Sequence, residues 1–408
     1  MTDPAASRDF GRVLAAEGMS NFGSMLSRLA IPWIAALSLA ATPWQMGWLL
    51  VADVAAAALG GLLLGGVVDR AGKRGVMVAA DLARAALLGA VAWAAWQGVL
   101  VFSALLLAAA AAGVLTLVFE LARSAWLAQR GSAEALAAQN AKLSAVASLS
   151  ETAAFALGGW LFQWLGAVVA LAVDALSYLA SAFALRGVAE VPPVAAAPRP
   201  RGLLARLAHD ATEGLRAVAA QRSLRALAVL EVLMAMSMSL SATSYMIFVA
   251  RDIGFATGWL GLIFALGGVG AVAGAAVAPW LGRRLGPGRA VACGLALFAL
   301  GAACVPLVGA PGVAGALLLD ALQVVGDVGH TVHEVHDRTL RQTLVEPDLL
   351  ARADAGLRAL GQGATLAGAL VGGAFAAAIG TRGALAAAAL FAATAALFAA
   401  MRLGRRPD

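Results

Sequence analysis

Apolar residues run in blocks of about twenty along the whole chain, separated by short polar breaks. The blocks lie near 13–37, 46–67, 76–97, 101–124, 141–163, 166–186, 224–249, 258–281, 290–309, 313–340, 355–378 and 383–402. Each is long enough to cross the hydrocarbon of a bilayer as a helix. The pattern therefore predicts an all-α integral membrane protein with twelve transmembrane helices. The tenth block differs in kind. From Val313 to about Leu340 its polar positions are Asp320, Gln323, Asp327, His330, Glu334 and Asp337, at successive spacings of 3, 4, 3, 4 and 3. At about 100° per residue these side chains share one stripe roughly 100° wide. The stripe is roughly 26 Å long at 1.5 Å per residue. Ionisable groups in a membrane helix are costly, so they normally face water or a partner and serve function.

Composition supports this reading. The chain has 408 residues, 62% apolar and 13% charged, with a mean hydropathy of +0.85. Soluble domains carry about 25% charge, so this chain lacks the polar cover of a soluble protein. The first block holds Asn21 and Arg28 and is followed by no small-residue cleavage site, so it reads as a retained helix. Cys293 and Cys304 fall in or beside one span and read as small apolar residues.

The net charge of +6 has a topological explanation. With a cytoplasmic N-terminus, only Arg251 and Arg382 of the 29 Lys and Arg fall in outside loops, and Arg28, Arg84 and Arg358 lie within spans. The rest lie inside, which favours an even number of spans with both termini cytoplasmic. No nucleic-acid partner is needed to account for the charge.

The outside loops are short, and the longest interruption is central. It holds Pro192-Pro193 and Pro198-Arg199-Pro200-Arg201, then a basic amphipathic stretch in which Leu203, Leu204, Leu207, Leu215 and Val218 alternate with charged residues. Such a stretch is expected to lie on the inner membrane face. The chain thus divides into a six-helix bundle over 1–187, a cytoplasmic linker over 188–223 and a second six-helix bundle over 224–408. After the second span comes Gly65-x-x-x-Asp69-Arg70-x-Gly72-Lys73-Arg74; after the eighth comes Gly282-Arg283-Arg284-Leu285-Gly286-Pro287-Gly288-Arg289. The echo suggests duplication into two parallel halves with a substrate site near mid-membrane.

The Gly65 to Arg74 stretch resembles the loop 2–3 signature of the major facilitator superfamily. The segments Ser20-Asn21-Phe22-Gly23, Ala80-Asp81-Leu82-Ala83-Arg84, Ala122-Arg123-Ser124-Ala125-Trp126, Val173-Asp174-Ala175-Leu176-Ser177, Glu213-Gly214-Leu215-Arg216 and Leu340-Arg341-Gln342 resemble the branch that exports macrolides, enterobactin and related drugs or siderophores. The resemblance implies proton-driven export by rocking of two bundles, with the proton gradient as energy source and no cofactor. It also implies a gating role for Asp69, Arg70, Gly72, Lys73 and Arg74, with Arg123 nearby. The chain departs from the family in its fifth span, where Ala154-Phe155 precedes Gly158-Gly159 in place of a Gly-Pro pair. It departs again in its tenth, where His333, Glu334, His336 and Asp337 replace neutral polar residues.

Antiport requires a group that exchanges protons in competition with cargo. A carboxylate in a partly dry cavity or a histidine suits this. The candidates for proton coupling or substrate contact are Asp53, Glu151, Asp320, Asp327, His330, Glu334 and Asp337, together with Asn21 and with Arg28 as a neutralising cation for Glu151 or Asp53. Glu120 is expected to pair with Arg123, and Glu231 to be interfacial. The tenth span admits a second reading, because imidazole and carboxylate together suit nickel, cobalt or zinc. Asp327, His330 and Glu334 would then share one metal ion as cargo. Span 7 carries Met234, Met236, Met238 and Met246, which suit core filling or an adaptable surface for organic shapes. No nucleophile motif, P-loop or metalloprotease motif is present, so neither an enzyme nor an ATP-driven pump is expected. The expected setting is a bacterial inner membrane, with the lipid bilayer and a small-molecule or ion cargo as partners and a monomer as the working unit. A receptor or scaffold without transport is the remaining class.

Overall fold

The computed structural model describes residues 4–52, 55, 68, 71–129, 133–190, 215, 216, 218–255, 257–345 and 347–403. Helix α1 (Pro4–Trp33) ends in a π turn over Ile34–Ser38. Helix α2 is described over 43–52. It opens on a capping box: the Gln45 backbone N–H donates to Thr42 Oγ1 (3.2 Å), and the Thr42 backbone N–H donates back to Gln45 Oε1 (2.8 Å). Pro43 then occupies the first helical position, where its missing N–H costs nothing.

Helices α3 (Lys73–Trp96) and α4 (Phe102–Ala128) follow. The helical run Ala133–Arg186 is broken at Gly166 (φ 80°, ψ 162°) into α5 (133–165) and α6 (167–186). The second half contains α7 (Arg222–Ile247), with a π turn over Phe248–Asp252, then α8 (Thr257–Leu285), α9 (Pro287–Cys304) and α10 (Val313–Leu344). The run Pro347–Arg402 is broken at Gly380 (φ 79°, ψ 165°) into α11 (347–379) and α12 (381–402). The described residues thus form twelve helices and no strand, as the apolar blocks predict. Seven helical stretches among them are long and apolar enough to cross a membrane. Helix α1 is not one of them, since it carries Arg8, Asp9, Arg12, Glu17 and Arg28.

The duplication is written in the backbone. Left-handed or irregular positions recur as Ala40 and Gly254, Gly98 and Gly312, and Gly166 and Gly380, each pair 214 residues apart (254 − 40, 312 − 98, 380 − 166). The π turns after α1 and α7 repeat at the same interval, as do the starts of α3 and α9.

The chain forms two compact units, one of residues Met1–Ala40 and Ala52–Arg201, the other of Ala41–Val51 and Gly202–Asp408. The main division falls between Arg201 and Gly202. Ala41–Val51, which holds the start of α2, groups with the second unit. Close backbone approach explains this. Gly47 lies against the Ala369 carbonyl, Gly373 lies against the Pro43 carbonyl and Trp44, and Arg251 donates to the Ala41 carbonyl at 2.9 Å.

Within the second unit, α10 buries Leu319, Val332 and Leu340 and meets α8 and α9 at glycines. A Cβ on Gly270 would lie 2.7 Å from the Val324 carbonyl oxygen, and one on Gly274 would lie 2.8 Å from that of Val328. Gly294 of α9 and Gly329 of α10 abut each other's carbonyls. Small residues at helix crossings are the usual solution in lipid, where burial of apolar side chains drives nothing.

Candidate functional site

The polar face of α10 separates into three environments. Nearest its N-terminus, Asp320 is 4% exposed, and among the described residues neither carboxylate oxygen has a hydrogen-bond partner. Two turns on, Gln323 donates to Asp327 Oδ2 at 2.7 Å. Tyr245 of α7 lies within charge range of both carboxylates. His330 follows one turn after Asp327, with its ring 5.8 Å from Phe298 of α9 and 6.4 Å from His333. The Nδ1 atoms of His330 and His333 are buried and unpartnered among the described residues. Asp320, Asp327 and the two imidazoles therefore hold unused donor and acceptor capacity along a helix side otherwise packed on glycine.

The remainder of the face is engaged elsewhere. Glu334 is exposed and accepts from Arg338 at 2.5 Å. Asp337 is buried and pairs with Arg341 at 2.6 Å. Arg341 also donates to Glu231 of α7 at 2.7 Å and approaches Asp354 of α11 at 3.9 Å. Glu231 is thus part of an ion cluster rather than a bare interfacial charge. His336 turns its Nδ1 to the Val332 carbonyl (2.8 Å) and its other ring nitrogen toward Gly282 of α8. Among the described residues no three His, Cys, Asp or Glu side chains gather as a metal centre. For Asp327, His330 and Glu334 the reason is visible: Gln323 and Arg338 hold the two carboxylates separately.

In the first unit, Arg123 does not pair with Glu120 as the local spacing suggests. It donates to Glu17 of α1, which also accepts from Asn21 Nδ2 at 3.3 Å. Asn21 is thereby tied to an ion pair. The cations acting on Glu120 are Arg28 and Arg84, so Arg28 faces Glu120. Glu17 lies 214 residues before Glu231, and each acid pairs with an Arg of the helix three further along its own half: α4 for Glu17, α10 for Glu231. Sequence reasoning missed Glu17. Its only signal was the repeat register, and that register is legible only once the breaks are seen.

The loop after α2 is partly described. Asp53, Asp69 and Arg70 lie outside the described residues, as do the side chains of Glu151, Ser144 and Ser148. Gly72 precedes α3 with an extended backbone. Lys73 is buried, and its Nζ donates to the Val68 carbonyl (2.7 Å) and the Ala71 carbonyl (3.2 Å). The start of α3 is capped by Glu190, an acid not anticipated. The backbone N–H groups of Arg74 and Gly75 donate to its two oxygens at 2.9 and 3.1 Å, and the Arg74 side chain lies 3.6 Å away. A carboxylate at a helix N-terminus is favoured by the exposed N–H groups and the dipole.

Twelve helices in two halves related by a fixed interval, with buried ionisable side chains that lack hydrogen-bond partners among the described residues, define a duplicated membrane transporter. The chain belongs to the Major Facilitator Superfamily, whose sequence family matches residues 13–332. Solved structures share the fold over nearly the whole length. A bacterial homologue of the iron transporter ferroportin in an inward-facing state superposes with a TM-score of 0.76 at 15% identity, covering 98% of this chain and 99% of that one. A bacterial homologue of the human lysosomal transporter Spinster gives 0.72 at 15% identity, covering 99% and 98%. A nucleoside transporter gives 0.72 at 16% identity, covering 97% and 99%. A search against curated proteins finds no match.

Proposed function

We propose that this transporter is an exporter of a small organic molecule, driven by inward flow of protons, and that α10 carries the coupling groups. One observation carries the reading: Asp320 is buried with both carboxylate oxygens unpartnered, and Asp327 and His330 follow at two-turn and one-turn intervals on the same helix side. An ionised carboxylate left without a partner in an apolar setting is costly, so the site favours a proton or a cargo group on it. Asp320 and Asp327 are the coupling carboxylates, His330 relays protons toward the inner end, and Tyr245 completes the polar surface. The membrane is the bacterial inner membrane with both termini in the cytoplasm, the protein acts as a monomer, and the residues of the loop after α2 gate the cycle with Arg123. A divalent metal as cargo is the competing reading. It draws on His330 and His333 with unpartnered nitrogens.

A strain lacking its own exporters and expressing this chain tests the reading. The panel holds macrolides, siderophores and the salts of nickel, cobalt and zinc. Resistance to an organic compound that disappears when the proton gradient is collapsed is the expected result. Resistance only to a metal, together with binding of that metal by the purified protein and its loss in His330→Ala, would overturn the organic-cargo reading.

A further inference from the structure

The first unit buries a charge cluster that the export reading does not use. Arg84 of α3 is 1% exposed and donates to Asp81 of the same helix and to Thr116 of α4 (3.3 Å). Its guanidinium stands 4.1 Å from the ring centre of Tyr178 and 4.8 Å from that of Phe119. Asp81 is fully buried, and its second oxygen accepts from Ser181 of α6 at 2.6 Å. Both Asp81 oxygens are thus partnered, whereas the Arg84 Nε is buried and makes no hydrogen bond among the described residues.

Asp174 of α6 is also fully buried, yet it has no such partner. Its Oδ1 accepts from Ser177 at 3.1 Å, and its Oδ2 is unpartnered among the described residues. Helix α1 closes over it. A Cβ on Gly23 would stand 2.3 Å from Asp174 Oδ1. Ser27, also buried, comes close to the carboxylate without closing a hydrogen bond. Among the described residues, the charged or titratable groups facing Asp174 are Arg84 and Asp81 from α3 and Tyr178 from its own helix; α1 presents Gly23 and neutral hydroxyls. Two carboxylates thus share one guanidinium in a dry interior.

The second half supplies a control within the same chain. At an interval of 214 residues, Asp81, Asp174, Tyr178 and Ser181 correspond to Leu295, Ala388, Ala392 and Ala395, all buried. The same helix packing is therefore built without charged groups, with only the Ser237 hydroxyl donating to the Ala388 carbonyl (2.8 Å), and packing does not demand the charges in the first half. Replacing buried ion pairs by apolar residues is often neutral or stabilising, which makes their retention here a sign of another use.

We infer that the Asp81–Arg84–Asp174 cluster is a proton-binding site of the first half, with Asp81 ionised on Arg84 and one proton resident on Asp174 Oδ2. Binding is simple protonation of a carboxylate by a proton from water. Charge count sets it: one proton leaves the cluster neutral, whereas two ionised carboxylates leave an unpaired charge in a dry site. This inference does not rest on the choice of cargo or on antiport, because its first readout is spectroscopic.

The test uses the full-length protein purified in nanodiscs at neutral pH. Infrared difference spectroscopy should show a protonated-carboxyl C=O band that is lost in Asp174→Asn and kept in Glu120→Gln. Thermal melting supplies the second arm. Asparagine mimics a protonated carboxyl, so Asp174→Asn should move the midpoint by less than about 3 °C. Asp81→Asn breaks the direct bond to Arg84 and leaves Asp174 as the guanidinium's anion, so it should lower the midpoint further than Asp174→Asn does. Absence of the band in the wild type, its survival in Asp174→Asn, or a reversed order of the two melting shifts would overturn the inference. A band that appears only on removal of sodium would overturn it in favour of a sodium site.

Discussion

At the scale of single residues, ion pairs are set by partners far away in sequence. Arg123 sits three residues from Glu120, the spacing that places two side chains on neighbouring turns. It nevertheless donates to Glu17, 106 residues away, because α1 carries that acid to the side of α4. Glu190 likewise caps α3 from 116 residues away. Such contacts have no local signature, so neither acid stood out in the sequence. The α10 face did, because its spacing alone places its members together. Even there, the sequence pattern did not reveal that Asp337 and Glu334 are taken up by Arg341 and Arg338. The Glu17–Arg123 pair is mostly buried, and removing one partner of such a pair strands the other. Glu17→Gln is expected to destabilise the protein by on the order of 3 kcal/mol. Glu17→Met combined with Arg123→Met should recover most of that loss. Melting of the purified variants checks both; a single variant as stable as wild type would show that the pair contributes little.

At the scale of helices, apolar block length and the breaks between blocks were legible. The break near 164–166 and the extent of the sixth span were legible too, whereas the fifth helix begins earlier, at Ala133, than its apolar block at 141. Only one residue, Gly166, interrupts 54 helical residues, and only Gly380 interrupts the corresponding 56. Both adopt positive φ, which side chains with a Cβ resist at a cost of about 1–2 kcal/mol. Gly166→Ala and Gly380→Ala should each destabilise by about that amount, with similar losses from either half, as melting or denaturant titration would read. A larger effect belongs to the α9–α10 crossing. A Cβ on Gly329 would lie 2.4 Å from the Gly294 carbonyl oxygen. Gly329→Val should therefore force the helices apart and abolish recovery of monodisperse protein on size exclusion. Normal recovery would show that the crossing tolerates more separation than its contacts suggest.

At the scale of the whole molecule, the duplication was visible in the sequence only as the echo between the Gly65 and Gly282 stretches. In the backbone it is a constant interval of 214 residues. Side chains have diverged so far that the halves share positions rather than identities. Arg84, which lies over the Phe119 ring and bonds Thr116, corresponds to Phe298, whose ring is tilted against that of His330, while Thr116 and Phe119 correspond to His330 and His333. The first half thus places a cation and two acids where the second is apolar, and the second places imidazoles where the first has a hydroxyl and a ring. The proposed orientation, read from Lys and Arg placement, has a direct check at this scale. With Cys293 and Cys304 replaced by Ala, a membrane-impermeant thiol reagent applied to intact cells should label Gln97→Cys and not Gln129→Cys. The opposite pattern would invert the topology.

The central claim is that Asp327 and its neighbours on α10 couple proton movement to cargo movement. Purified Asp327→Asn in proteoliposomes, assayed with whichever cargo the resistance panel identifies, separates the two halves of that claim. Downhill counterflow should persist near the wild-type rate, while accumulation driven by an imposed pH gradient should fall to background. Accumulation at the wild-type rate in this variant would contradict the account.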